Sequence, residues 1–408
     1  QSVPFTCWGE SRRLAACQVL WAEGRLLLCE AQALTPRRLS LRIMPEWTVC
    51  GYRCGTRRLC VGADDDPFLR LRRQERELCL TVSMAERECS VTGEAAVPPG
   101  QPAPEDLLLW RLYPQVGSCQ LVGNKLLVKG DVTLSALYRC QQQKLHTYTA
   151  VLPFSQIVES PSGGEEGEVT VCPQLLCGEA RLLRGEESSG FAVSAELRLL
   201  VRITRRETVA CVTDLYSIRC AVQPDTEPVS LPPAQERPTR QEAAAHLDFG
   251  RQRPFVYVTD VSCAPAAAED GTPCAAVRMQ LLYLDETEAP AVTERTAQLP
   301  LRDGETCTRC GAPEVAFTGT GCDLRQAVSV TPAAGEPVVL TTVTAVQTVP
   351  EREEGRRPSL VMRRLAADET LWDAAKQYRT DEELIRAVNQ LTEGEVPDKM
   401  LLIPRMRP

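Results

Sequence analysis

The residues of this chain whose type and spacing could do chemistry are its thiols. Cys307-x-x-Cys310, with Cys322 downstream, sets thiolates two residues apart, a spacing that lets a pair share one tetrahedral zinc. A second Cys-x-x-Cys at a suitable distance is missing, and so are histidine ligands, so incidental thiols are expected and no metal is assigned. Cys50, Cys54 and Cys60 are spaced more loosely still. The 19 cysteines are odd in number and scattered singly through strand-like segments. A disulfide scaffold would be short, loop-rich and even-numbered. Reduced cysteines that pack like valine, in a cytosolic protein, are the expectation.

Histidine is the usual general base, and there are two. His146 stands in a strand between Leu145 and Thr147 and is expected on a solvated face. His246 follows an alanine run in a linker-like region. Neither lies beside a nucleophile motif such as G-x-S-x-G. Asp64-Asp65-Asp66, before Pro67, suits a solvated turn better than half a cation site, because a hard cation wants six or more oxygens from a shaped loop. Gly163-Gly164 lacks the lysine, strand and helix of a phosphate loop. No carboxylate pair stands out among the 54 acids. No catalytic residue and no cofactor is therefore assigned, and the chain is expected to bind rather than to turn over a substrate.

Composition agrees. The 408 residues suffice for two to four domains, and 43% hydrophobic with 25% charged residues fits a soluble globular protein. A net charge of −8 argues against nucleic acid or an anionic membrane as partner. No apolar run reaches the ~18 residues of a membrane span. No signal peptide is legible, although the chain begins at Gln1 rather than Met, which leaves residues in front an open matter.

The elements that would position any site are mostly strands. Val128, Val132, Leu134, Ala136 and Tyr138 alternate with Lys129, Asp131, Thr133 and Ser135, the period of a strand with one buried face. Leu145 to Phe154 pairs with it as a hairpin ending in Leu152-Pro153-Phe154-Ser155. Phe191 to Val212 alternates again and predicts a long antiparallel strand. The order recurs: Val277 to Leu284 aligns with the strand ending at Tyr138, Gln298 to Leu301 with the Leu-Pro-Phe-Ser corner, and Val338 to Val349 with the long strand. At the front, Val3 to Thr6 aligns with the corner and Arg38 to Val49 with the long strand. The reading is a partial β unit over 1–95, a full one over 96–228, a degenerate one over 229–346, a charged spacer over 347–358 and a small module over 359–408. The fold class is mainly β, serial antiparallel β-sandwich-like repeats followed by a small α+β (βααβ) domain.

In that last module Val361 to Leu365 is a strand candidate. Leu371, Ala374, Ala375 and Tyr378 share one helix face. Thr380-x-x-Glu383 has capping-box spacing ahead of a second helix, Asp381 to Val388, with Leu384, Ile385 and Val388 inward. Met400 to Ile403 closes with a strand. Asp368-Glu369-Thr370-Leu371-Trp372 with Ala374-Ala375, then Leu384 and Asn389, then Leu401-Leu402-Ile403-Pro404, resembles the LysM module. Asp368-Glu369 stands where that family has Gly-Asp, and Pro397-Asp398 where it has Pro-Gly. The resemblance implies a binding groove at Asp368, Glu369 and Thr370 in the first loop and Asn389, Gln390 and Leu391 after the second helix. Trp372 is expected to pack in the core, with an aromatic anchor at the binding surface as the other reading.

Gly123 to Tyr138, the Leu-Pro-Phe-Ser corner, and Thr213-Asp214-Leu215-Tyr216-Ser217 at the end of the long strand resemble the SPOCS domain. SPOCS units before a C-terminal LysM is the layout of SipL-like spore-coat morphogenesis proteins. That resemblance implies a scaffold in the mother-cell cytoplasm at the forespore surface. It would bind a coat morphogenetic protein of the basement-layer ATPase type through its LysM-like end, and coat partners or further copies of itself through its β units. The rival expectation is a cell-wall protein whose LysM holds peptidoglycan.

Overall fold

A computed structural model describes residues 6–53, 55–63, 66–159, 167–184, 189–231, 237–250, 255–333, 335–349, 358–366, 368–392 and 400–405. The corner at 3–5, Cys54, the acids at 64–65, the glycines at 163–164, most of the spacer at 347–358, and Pro397-Asp398 lie outside the described residues. The chain is mainly β, as the alternation predicts. It divides into two compact units, residues 1–59 and 60–408.

The first unit is a hairpin of two antiparallel strands, β1 (Val19–Thr35) and β2 (Arg38–Tyr52). Trp47 of β2 lies opposite Gly24 of β1, and a Cβ on Gly24 would come within 2.7 Å of the indole. Leu39, Leu41 and Ile43 stand exposed on β2.

The second unit opens with β3 (Leu69–Ala96), β4 (Pro104–Val122), β5 (Lys125–Cys140), β6 (Leu145–Glu159), β7 (Glu168–Arg184) and β8 (Ser189–Ser217). They form two three-stranded antiparallel sheets, β4-β5-β6 and β3-β8-β7. One core lies between them. Val128, Val132, Leu134, Ala136 and Tyr138 of β5 meet Phe191, Val193, Ala195, Leu197, Leu199, Val201 and Ile203 of β8. These are the alternating apolar positions read from the sequence, and burying them excludes water from both sheet faces. Gly130 lies opposite Phe154 of the Leu-Pro-Phe-Ser corner. A Cβ there would reach within 2.3 Å of the Gln115 carbonyl oxygen and 2.7 Å of the phenyl ring. A side chain at 130 would push the two neighbouring strands off β5.

After β9 (Val222–Leu231) the same plan returns with β10 (Thr239–Asp248), β11 (Val256–Ala267), β12 (Pro273–Leu284), β13 (Pro290–Pro300), β14 (Thr306–Phe317) and β15 (Gly321–Thr331). The sheets are β11-β12-β13 and β10-β15-β14, around Val277, Met279, Leu281, Leu324, Val328 and Val330. In both sandwiches the first strand crosses to pair with the last, and strands two to four form a meander. The two sandwiches meet through Leu137, Phe255 and Tyr257, and the Tyr257 hydroxyl donates to the Ser135 carbonyl at 3.2 Å.

This topology corrects the repeat. The counterpart of β8 is β15, Gly321–Thr331, not Val338 to Val349. The latter is β16 (Val338–Thr348), which pairs with β9 in a two-stranded ribbon and buries only Leu340, Thr342 and Val343. The unit bounds move with it. Leu69–Ala96, assigned above to the first unit, is the flanking strand of the second, and the third runs over 239–331. Alternation shows that a segment is a half-buried strand but not which strand it pairs with, and the first-to-last pairing joins residues far apart in sequence.

The chain closes with β17 (Leu360–Arg363), α1 (Leu371–Tyr378), α2 (Glu382–Asn389) and β18 (Leu401–Pro404), in the expected β-α-α-β order with β17 antiparallel to β18. This module is not held away from the β units. Its core of Leu371, Ala374, Ala375, Ile385, Leu401 and Ile403 is completed by Tyr216 of β8 and by Ile218 just after that strand. So few residues cannot bury much apolar surface alone, and the module borrows two side chains from the sandwich.

Candidate functional site

The residues expected to form a groove sit at two corners of the C-terminal module. Thr370 is the N-cap of α1. Its hydroxyl accepts from the Asp373 N–H at 3.3 Å, and its own N–H donates to the Asp373 carboxylate at 2.9 Å. The hydroxyl also donates to the Asp373 carboxylate at 2.6 Å, and this bond, with that of the Thr370 N–H, holds the Asp373 carboxyl below its ordinary range. Glu369 is half-buried, paired with Arg363 and accepting the Ala366 N–H at 3.1 Å. Asp368 is exposed.

At the other corner, Asn389 donates to the Ile385 carbonyl at 2.8 Å and to the Leu402 carbonyl at 2.6 Å, and accepts the Leu402 N–H at 2.8 Å. It clamps β18 onto α2. Gln390 ends α2 in the left-handed region at φ 52° and is exposed. Leu391 packs against the module core. Of the six, Glu369, Thr370, Asn389 and Leu391 are engaged in holding the module, which leaves Asp368 and Gln390 turned to solvent.

Two local expectations are corrected. The cap of α2 is Asp381, whose carboxylate accepts the Glu383 N–H at 3.1 Å, whereas Thr380 is fully buried and its hydroxyl has no partner. The capping box is the one at Thr370 and Asp373. Val388 is exposed, and Ile385 is the buried residue of α2.

A cluster of polar contacts lies where the module meets the sandwich. Asp214 of β8 accepts the Trp372 indole N–H at 2.8 Å and the Lys376 ammonium at 2.5 Å. The Tyr216 hydroxyl donates to the Thr380 carbonyl at 2.8 Å, and its ring meets Trp372 edge-on with centroids 4.9 Å apart. Burial pushes the Tyr216 phenol well up. Arg70 of β3, opposite Tyr216 in the register, reaches Asp381 at 2.6 Å. Asp381 thus caps α2 with one oxygen and holds Arg70 with the other. Trp372 is half-buried and packs against the core that the module shares with Tyr216 and Ile218, in line with the core packing expected of it. In the sequence Asp214 and Tyr216 stand out only as part of a strand-end motif, not as a dock. The acid and the aromatic two residues apart at the end of the longest strand are the available signal. Nothing local marks Arg70.

The histidines do no joint work. His246 lies in β10, not in a linker, with Nδ1 2.7 Å from Asp323 on the neighbouring strand. His146 leans on Tyr138 with ring centroids 5.6 Å apart, and its Nε2 is buried without a partner. The solvated face expected for it is corrected, and burial holds its pKa low. Among the described residues no three His, Cys, Asp or Glu side chains gather as metal ligands. Among them, too, no helix is long and apolar enough to cross a membrane.

Residues 105–175 match the family described as SipL, SPOCS domain. They cover the β4-β5-β6 meander and the first residues of β7. The second β unit therefore carries a region similar to a sporulation-related domain. No curated protein and no solved structure matches the chain.

Proposed function

We propose that the chain is a non-enzymatic scaffold of spore-coat assembly. Its C-terminal module would recruit a coat morphogenetic protein of the basement-layer ATPase type, and its β sandwiches would contact coat partners. The observation that supports this reading most is the SPOCS-domain match at 105–175 in a chain whose terminal module is bolted to the β3–β8 sandwich that carries the match. A scaffold needs rigid spacing between its binding faces, and this dock supplies it. Asp368 and Gln390, whose side chains face solvent, are the groove positions left for a partner.

A fluorescent fusion in sporulating cells tests the placement, with a ring of signal around the forespore expected and diffuse mother-cell fluorescence counting against it. Binding of the purified chain to the morphogenetic ATPase, weakened by Asp368→Arg with Gln390→Ala, tests the recruiting face. Retention on purified sacculi lost by the same pair would favour peptidoglycan as the ligand instead.

A further inference from the structure

Cys263 of β11 and Cys307 of β14 bring their sulfur atoms to 2.8 Å across the two sheets of the β10–β15 sandwich. Cys263 lies opposite Val277 of β12 and Cys307 opposite Val330 of β15, so the pair joins strands that share no hydrogen bonds. Cys307 is a core residue, and Cys263 packs against the same cluster. A disulfide holds its sulfurs about 2.05 Å apart, so closure asks the two side chains for less than about 1 Å. We propose that Cys263 and Cys307 form a latent disulfide site, closed by a peroxide-class oxidant, that staples the two sheets of this sandwich together. The inference rests on the sandwich alone and does not depend on the scaffold reading.

The contact also sets the order of events. The Cys263 thiol donates to the Cys307 sulfur, which favours the Cys307 thiolate and holds its pKa below the ordinary thiol value. The same bond, together with burial, pushes Cys263 up. Cys307 is therefore the nucleophile. Its thiolate attacks one peroxide oxygen and the O–O bond breaks. The departing hydroxide takes a proton and leaves as water, and Cys307 becomes a sulfenic acid. The Cys263 sulfur then attacks the Cys307 sulfur, the S–O bond breaks, and the hydroxyl leaves with the Cys263 proton as a second water. Two thiols lose two electrons and two protons, and one peroxide becomes two waters. The bond would close a loop of 44 residues in sequence separation, constraining the unfolded chain.

The test is peroxide treatment of the reduced full chain, capping of remaining thiols with N-ethylmaleimide, and non-reducing peptide mapping. A linked Cys263–Cys307 peptide pair is expected, with a raised Tm that dithiothreitol returns to its starting value. Cys310→Ser should keep the link, and Cys263→Ser should leave Cys307 as a sulfenic acid that dimedone traps. Capped Cys263 and Cys307 after exposed thiols have been oxidised would overturn the proposal, as would a Cys307–Cys310 link. Mapping of the unsubstituted chain decides the matter even if Cys263→Ser does not fold.

Discussion

Trp372 donates its indole N–H to the Asp214 carboxylate at 2.8 Å, and the same carboxylate takes the Lys376 ammonium at 2.5 Å. A single acid at the end of β8 thereby holds two residues one helical turn apart on α1. Its side chain is 24% exposed, so both bonds are largely out of water and stronger than surface pairs of the same geometry.

Asp214→Ala should free the terminal module from the sandwich. The buried indole N–H loses its acceptor, at a cost of about 1–3 kcal/mol. Protease cleavage between residues 349 and 358 should rise while the β signal in circular dichroism stays unchanged. Unchanged cleavage would show that the apolar contact of Tyr216 and Ile218 holds the dock without Asp214.

Tyr216 separates the polar from the apolar share of that contact. Tyr216→Phe keeps the ring beside Trp372 and leaves the Thr380 carbonyl without its donor, a loss of about 1 kcal/mol in denaturant unfolding. Tyr216→Ala also opens a cavity and should cost about 3–5 kcal/mol. Equal losses in the two variants would contradict this division.

The capping pair of α1 carries a pH signature. Thr370 holds the Asp373 carboxyl below its unfolded value, so the stabilisation is present above about pH 4 and is lost as pH falls through the folded value. Thr370→Ala should cost about 1 kcal/mol at pH 7 and flatten the acid limb of the stability curve. An unchanged limb, measured by denaturant titration from pH 5 to 3, would discard the assignment.

His146 acts in the opposite direction. Its folded pKa is lowered by burial against Tyr138, so the unfolded chain binds the proton more readily. Stability should fall as pH drops below about 6.5, the unfolded value, and the drop should disappear in His146→Gln. Thermal melts of both proteins between pH 7.5 and 5.5 make the comparison.

Local alternation in the sequence was enough to find β5, β6 and β8 and most of their buried faces, because period two follows directly from the pleat. It also found both short helices, whose apolar residues recur at helical spacing. The spacing of Thr380 to Glu383 suits a cap at either Thr380 or its neighbour Asp381. Burial removes the Thr380 hydroxyl, so the cap falls to Asp381.

What the sequence alone determined was which segments are strands or helices and which of their faces are apolar, since these depend on neighbours a few residues away. Only the tertiary structure decided that β3 pairs with β8, that β15 rather than β16 closes the sandwich opened by β10, and that Asp214 and Tyr216 receive α1. Those contacts join residues 94 to 148 positions apart for β3 with β8, 73 to 91 for β10 with β15, and 158 to 164 for the dock. Their energy comes from burying faces against each other, and no local pattern records which face meets which.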